Sequence, residues 1–229
     1  MKKKKIVILT GAGISAESGI STFRDSNGLW RNHRIEEVAS PVAWHDNPLL
    51  VLDFYNIRRK QLFEVEPNAA HCALAELEKK YDVQIITQNV DDLHERAGST
   101  KVMHLHGELK KARSTADENL VYELDSWELN WGDKCEKGSQ LRPHIVWFGE
   151  AVPMIEEAAR ICMTAEIFMV IGTSMVVYPA AGLISYVNAN SPKYYVDPMA
   201  SRIGDISNLI IINGKAGTVI PRLVNDLLK

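Results

Sequence analysis

Cysteine is scarce in this chain: Cys72, Cys135 and Cys162 are the only three in 229 residues, and no two form a C-x-x-C pair. An odd, scattered set argues against a disulfide framework and for a reducing compartment, so a cytoplasmic location is expected. No apolar run approaches the roughly 18 residues that would suggest a membrane span. Basic residues do not cluster beyond Lys2–Lys5 and the net charge is −3, which leaves no electrostatic footprint for a nucleic-acid partner. Those lysines precede Ile6-Val7-Ile8-Leu9 and superficially resemble a secretory signal. The apolar run is too short for one, since signals carry roughly 7–15 apolar residues. No internal repeat or low-complexity segment is present.

What is there is an alternation. Short apolar runs at Ile6–Leu9, Val83–Thr87, Val102–Leu105, His144–Phe148, Ile167–Ile171, Tyr194–Val196 and Leu209–Ile212 predict strands. Between them, Leu49–Phe63, Ala69–Lys80, Met154–Ala165, Ala180–Asn190 and Thr218–Leu228 carry helical patterns, and Asn68 after Pro67 is placed to cap the second. Strands alternating with helices imply an α/β fold with a mostly parallel sheet, whose ligands bind at the C-terminal strand ends. Residues 31–80 and 109–139 fit the alternation badly, the latter being polar with Trp127 and Trp131 and no strong period. Each is too short for a core of its own.

Three loops follow strand candidates directly: Gly11-Ala12-Gly13, Gln88-Asn89-Val90-Asp91 and Gly172-Thr173-Ser174. Glycines after a strand let backbone N–H groups approach a pyrophosphate. The third glycine is Gly19, which is too late for the usual dinucleotide G-x-G-x-x-G spacing. His104 and His106 lie near a strand end, where α/β enzymes place reactive groups. Period-two alternation puts both on one face and does not choose between them. On the Leu49–Phe63 helix, Tyr55 and Arg58 are three apart and share a face, where a phenol and a guanidinium together suit a carboxylate. Arg59 is rotated by about 100° from Arg58 and is expected to matter little.

Glycine loop, Ser21-Thr22-Phe23-Arg24-Asp25, Thr87-Gln88-Asn89-Val90-Asp91-Asp92-Leu93-His94 and His104-Leu105-His106-Gly107 occur in this order. Together they resemble the sirtuin family of NAD-dependent protein deacylases, and the resemblance covers essentially the whole chain. It implies a Rossmann-like sheet domain (about 1–30, 81–108 and 140–229), with the two inserts forming a small domain across the substrate cleft. NAD is then a consumed co-substrate and acylated protein lysines are the partners. The resemblance makes His106, which precedes Gly107, the general base acting on a ribose hydroxyl. Nicotinamide, 2′-O-acyl-ADP-ribose and free lysine are the implied products.

Asn89 and Asp91 would hold the nicotinamide carboxamide and a water, and Gln88 the ribose. Gly11, Ala12, Gly13, Ser15, Glu17, Thr22, Phe23, Arg24, Trp30 and Val90 would complete that side of the NAD site. Gly172, Thr173, Ser174, Pro198, Met199 and Ala216 would line the adenosine side with Asp197, where the family usually carries Asn.

The stretch His144-Ile145-Val146-Trp147-Phe148-Gly149-Glu150 resembles the family's acyl-lysine tunnel, with Val146, Phe148, Gly149 and Val176 against the substrate. Its backbone would pair with an extended peptide by strand addition. A Tyr-x-x-Arg pair such as Tyr55 and Arg58 marks the branch that removes malonyl and succinyl groups. Most relatives carry two C-x-x-C zinc pairs between the HG and WFGE motifs. Here that interval holds Cys135 alone, with Ser114, Asp117, Lys134 and Lys137 near the ligand positions. Zinc is therefore not expected, and Trp127, Trp131, Tyr122 and Leu124 are the expected core of this insert. A protein ADP-ribosyltransferase on the same scaffold is the alternative.

Overall fold

A strand that is apolar at every position is covered on both faces, and β1 (Lys5–Thr10) is such a strand, with Ile6, Val7, Ile8 and Leu9 fully buried. The computed structural model describes residues 3–20, 33–201 and 204–229. Helices α1 (Ile35–Val38), α2 (Pro41–Asp46), α3 (Pro48–Glu64) and α4 (Ala69–Leu77) precede β2 (Asp82–Thr87). Then come α5 (Leu93–Arg96), β3 (Val102–His104), β4 (Gly107–Ser114), β5 (Val121–Glu123), β6 (Leu141–Ile145), α6 (Ile155–Met163) and β7 (Ile167–Ile171). Finally β8 (Lys193–Asp197) and β9 (Leu209–Asn213) lead to α7 (Ala216–Leu228).

Six strands form a parallel sheet in the order β3-β2-β1-β7-β8-β9. Alternate residues of β1 feed two cores. Val7 and Leu9 pack with Phe168 and Val170 under α6, while Ile6 and Ile8 pack with Met169 under α4 and α7. The chain moves outward from β1 to β2 and β3, and later resumes on the other side with β7. The strand order therefore reverses between β1 and β7, the position at which open α/β sheets form a ligand crevice. The cap expected at Asn68 is present: its side chain accepts from the Ala70 N–H at 2.9 Å. The same amide donates to the Ile14 carbonyl at 2.8 Å, tying α4 to the glycine loop.

Two expected elements differ. Ala180–Asn190 is a short 3₁₀ segment, Ala180–Tyr186. Gly182 weakens a helix there, and the Asn188 side chain accepts from the Asn190 N–H to form a turn. The expected strand His144–Phe148 is displaced to Leu141–Ile145, and it pairs in a separate antiparallel sheet, β5-β4-β6. Beyond it the chain is held by other partners. The Val146 N–H donates to the His106 carbonyl, Trp147 N–H to the Glu150 carboxylate and Phe148 N–H to the Ala39 carbonyl.

This second sheet runs from Gly107 to Ile145, past both limits expected for the insert. Its β4 strand escapes a period-two reading because a bulge between Gly107 and Ala112 buries Leu109 and Ala112, three residues apart. The insert does not fold around its tryptophans, for Trp131 is 59% exposed and Trp127 36%. Leu129, Ala112 and Leu52 form the local core, with Leu124 packed on it. Around Cys135 a hydrogen-bonded knuckle occupies the place expected of zinc ligands. The Cys135 thiol donates to Ser114 Oγ at 3.3 Å, and that oxygen accepts from the Ala116 and Asp117 N–H groups. Lys137 pairs with Asp117 at 2.7 Å, and Lys134 bridges to Gln140. One thiol and an ammonium-paired carboxylate do not fit a closed zinc site, and the described residues contain no metal-holding group of three or more His, Cys, Asp or Glu. No described helix is long and apolar enough to cross a membrane.

Arg59 overturns the expectation that it matters little. It is fully buried, and its guanidinium donates to the Leu109 carbonyl, to the Asn56 side chain at 2.8 Å and to the Trp127 carbonyl at 2.7 Å. Burial lowers its pKa to about 10, so it remains charged at neutral pH. It fastens α3 to the start and the middle of the second insert. Arg59→Met should cost about 2–4 kcal/mol, since two buried acceptors and one part-buried acceptor lose a charged donor. Urea denaturation reads this as a lowered midpoint, and an unchanged midpoint would refute the clasp.

Candidate active site

At the reversal point the backbones of two loops touch. The Gly11 N–H donates to the Ile171 carbonyl at 3.0 Å and Gly13 N–H to the Gly172 carbonyl at 2.8 Å. A Cβ on Gly13 would lie 2.8 Å from Gly172 Cα, and one on Gly172 would lie 2.3 Å from the Ile14 nitrogen. Gly172 also adopts a φ of +64°, which disfavours any L side chain. This contact, rather than a dinucleotide spacing, is what the glycines are needed for. Gln88, the third loop's first residue, bridges across to the Thr173 hydroxyl at 3.3 Å.

Beneath the loops lies a buried polar chain. Thr10 at the end of β1 donates to Thr87 at the end of β2 at 2.8 Å, and Thr87 also accepts from the Asn89 N–H. The Ser15 hydroxyl donates to Asp91 at 3.0 Å and accepts from the Asn89 side chain at 3.1 Å. Ser15 also meets His71 Nε2 at 3.5 Å, while His71 Nδ1 accepts from the Asn68 N–H. That fixes the Nε2–H tautomer of His71. Thr10 has given its proton to Thr87, so His94 Nε2, 3.0 Å away, must donate to it. The two histidine rings meet edge to face at 4.9 Å. Burial lowers the pKa of His71 to about 4 and that of His94 well below its usual range, so both are neutral. Burial raises the Asp91 pKa, against the pull of its hydrogen bonds from Leu93 and Ser15.

Neither His71 nor His94 stands out in the sequence as a site residue. His71 sits three residues after the Asn68 cap, the reciprocal capping position, which was the signal available for it. His94 belongs to the quoted TQNVDDLH segment, but nothing about its type assigns it to Thr10.

The two candidate base histidines separate by their partners. His104 has Nδ1 3.1 Å from the Asn89 carbonyl and Nε2 2.8 Å from a Glu95 carboxylate oxygen, so both nitrogens face acceptors. Burial opposes its charge, but the hydrogen bond and charge of Glu95 prevail and raise its pKa. His106 instead places Nδ1 2.9 Å from the Gln88 carbonyl, and its Nε2 has no partner among the described residues. The proton therefore resides on Nδ1 and Nε2 keeps an open lone pair. Burial lowers the His106 pKa, with the Gln88 carbonyl pulling the other way, so the ring is neutral at pH 7. Its neighbour Gly107 has a φ of +80°, and a Cβ there would stand 2.0 Å from the His144 carbonyl oxygen.

Other expected site residues are distributed unevenly. Thr22, Phe23, Arg24 and Trp30 lie outside the described residues. Ala12 and Ser15 belong to the loop, and Val90 is half-buried beside Asn89. The Glu17 carboxylate accepts from the Gly217 N–H at 2.7 Å, next to buried Ala216, so it caps α7. Buried Asp197 accepts from the Met199 N–H at 2.9 Å within its own turn, leaving Met199 71% exposed beside Pro198. Ser174 is half-buried after Thr173.

Within His144–Phe148, Ile145 and Trp147 are buried while Val146 is half-buried and Phe148 exposed, followed by Gly149. Val176 is also exposed. The engaged N–H groups of Val146, Trp147 and Phe148 leave this segment unable to supply a full ladder to a peptide, so strand addition would rely on its carbonyls. Tyr55 is buried on α3 and accepts from Trp147 Nε1 at 3.0 Å. The Arg58 guanidinium lies 6.0 Å from the Tyr55 ring centre, so the pair does share a face.

A profile of the Sir2 family matches residues 11–179. An NAD-dependent protein deacylase of Helicobacter pylori is 56% identical over 226 residues, covering 99% of this chain and 98% of its own length. The chain belongs to the Sir2 family. A solved Sir2 homologue in complex with NAD shares 43% identity at a TM-score of 0.89, covering 99% of this chain and 90% of that one. Another Sir2 structure, bound to a myristoylated histone peptide, shares 34% identity at a TM-score of 0.74, with 99% and 92% covered.

In this Sir2 chain the tightest steric demand beside the candidate base is at Gly107. Gly107→Ala should lower the stability by about 2–4 kcal/mol, combining a backbone clash with a left-handed φ. A urea titration that leaves the midpoint unmoved would contradict the geometry.

Proposed function

We propose that this Sir2-family protein removes acyl groups from protein lysines at the expense of NAD, and that malonyl and succinyl groups are among its substrates. The observation that carries the reading is His106: a neutral imidazole with its proton fixed on the Gln88 side and an open Nε2 where three strand-end loops converge. The donor set suits NAD. The loop glycines, lacking a Cβ, let a pyrophosphate approach the backbone although the Gly11 and Gly13 N–H groups are already engaged, side-chain amides serve a neutral carboxamide, and an open ring nitrogen serves a ribose hydroxyl.

NAD supplies the activated ribose carbon and the nicotinamide leaving group. Gly11, Ala12 and Gly13 are assigned to the pyrophosphate with Arg24. Asn89 and Asp91 are assigned to the carboxamide, both held in place through Ser15. Gly172, Thr173, Ser174 and Asp197 are assigned to the adenosine side. His106 Nε2 accepts the ribose hydroxyl proton, while the Gln88 carbonyl stabilises the imidazolium that forms through Nδ1–H. Val146, Phe148, Gly149 and Val176 are assigned to the acyl-lysine. The small unit built from α1–α3 and the β5-β4-β6 sheet forms the opposite wall, and it brings Tyr55 and Arg58 to the far end of the acyl chain, whereas α4 covers the parallel sheet. Scattered reduced cysteines support a cytoplasmic setting.

A base must be unprotonated to act, so the competent fraction rises as pH climbs through the His106 pKa and then saturates. Because burial holds that pKa below the ordinary 6.5, the acid limb of kcat/KM should lie below pH 6.5. His106→Ala should lose about 10²–10⁴-fold in turnover, retain NAD binding and abolish that limb. An acid limb above pH 7, or near-normal turnover in the variant, would remove His106 from this role.

Acyl choice is tested at Arg58. Arg58→Met should reduce kcat/KM on succinyl peptide about 10- to 150-fold and spare the matched acetyl peptide, because only the acidic group uses the guanidinium. Equal losses on both would make Arg58 structural and leave a plain deacetylase.

A further inference from the structure

The Tyr55 hydroxyl is constrained by a residue outside the Tyr55–Arg58 pair. An indole N–H donates and never accepts, so the 3.0 Å contact from Trp147 Nε1 makes the Tyr55 oxygen the acceptor. A phenol has one proton, and Tyr55 must send it elsewhere. No described residue takes it, and at 1% exposure bulk water does not reach the side chain freely. Buried donors in folded proteins find a partner. Burial raises the Tyr55 pKa to about 12, outweighing the nearby Arg58 charge and the Trp147 hydrogen bond, so the proton stays in place at every working pH.

Trp147 is itself held rigidly. Its backbone N–H donates to a Glu150 carboxylate oxygen at 2.8 Å. That carboxylate pairs with Arg142 at 2.7 Å, and the Arg142 guanidinium lies 3.3 Å over the indole ring. A cation on the ring face draws electron density from the π system and strengthens the N–H as a donor. Trp44 packs on the same indole at 5.8 Å, limiting its rotation.

We infer that Trp147 is a positioning residue for acidic acyl groups: by donating to the Tyr55 oxygen it commits the Tyr55 hydroxyl proton to the acyl carboxylate. This rests on the acidic-acyl reading above. A carboxylate is acceptor-only and takes that proton beside the Arg58 charge. An acetyl group presents no acceptor at that end, so its removal from lysine does not sense the indole N–H.

The test is a double-mutant cycle in the full chain, with kcat/KM measured on matched acetyl and succinyl peptides for Trp147→Phe, Tyr55→Phe and the double variant. Trp147→Phe should lose about 3- to 10-fold on succinyl peptide and under about twofold on acetyl peptide. The double variant should match Tyr55→Phe alone, because without the hydroxyl the indole N–H has nothing to orient. Equal losses of Trp147→Phe on both peptides, or a loss that adds in full to that of Tyr55→Phe, would overturn the inference. Unimpaired desuccinylation by Tyr55→Phe would instead overturn the acidic-acyl reading, and the role of Trp147 with it.

Should Trp147→Phe fail to fold, the unaltered chain answers through its indole ¹H–¹⁵N resonances. The one perturbed by Tyr55→Phe should shift on binding succinyl peptide and not on binding acetyl peptide. The same response to both would refute the coupling.

Discussion

Two loops that meet backbone against backbone set the rest of this molecule. Gly13 and Gly172 approach so closely that neither has room for a Cβ, and two N–H···O bonds lock the end of β1 to the end of β7. That contact fixes the floor of the crevice at the point where the parallel strand order reverses. Ser15, four residues after Gly11, is thereby held under the loop, where its single hydroxyl joins Asn89, Asp91 and His71. Side chains from β1, β2 and α4 then act as one unit rather than as separate loops.

The cost of burying so much polarity is met by complementarity. The Thr10 and Ser15 hydroxyls each have a donor on one side and an acceptor on the other, and the two buried histidines remain neutral to donate to them. A low local dielectric strengthens such bonds. The smaller sheet uses the same economy with charge. Arg59 ties α3 to the insert through carbonyls, and Arg142 with Glu150 clamps the Trp147 segment against α3. Hydrogen bonds around Ser114 and the Lys137–Asp117 pair organise the knuckle near Cys135. Rigidity in this small unit therefore comes from guanidinium clasps and hydrogen-bonded turns.

Local rules were legible where one residue type answers one local need. The apolar run of β1, the Asn68 cap and the strand-end glycines belong to that class, and each depends on neighbours only a few residues away. The bulged strand β4 was not legible, because a single extra residue changes which positions are buried and erases the alternation. The role of Arg59 is not legible locally, because helical rotation tells which face a residue occupies but not what covers it. Carbonyls from Leu109 and Trp127, about 50 and 68 positions away, cover that face. Glu17 likewise finds Gly217 across the whole chain, a pairing no local pattern carries. Between His104 and His106 the periodicity was silent. Hydrogen-bond partners decided it, two acceptors around one ring and one around the other.

The central claim is that acyl removal and NAD cleavage are one coupled event at His106. It is tested most directly by incubating the protein with NAD and a succinyl-lysine peptide and following nicotinamide, peptide mass and the ADP-ribose product together. The account predicts one nicotinamide released per succinyl group lost, with the acyl group recovered on ADP-ribose and no NADH formed. Nicotinamide release with the peptide still succinylated, or with ADP-ribose attached to protein, would contradict it.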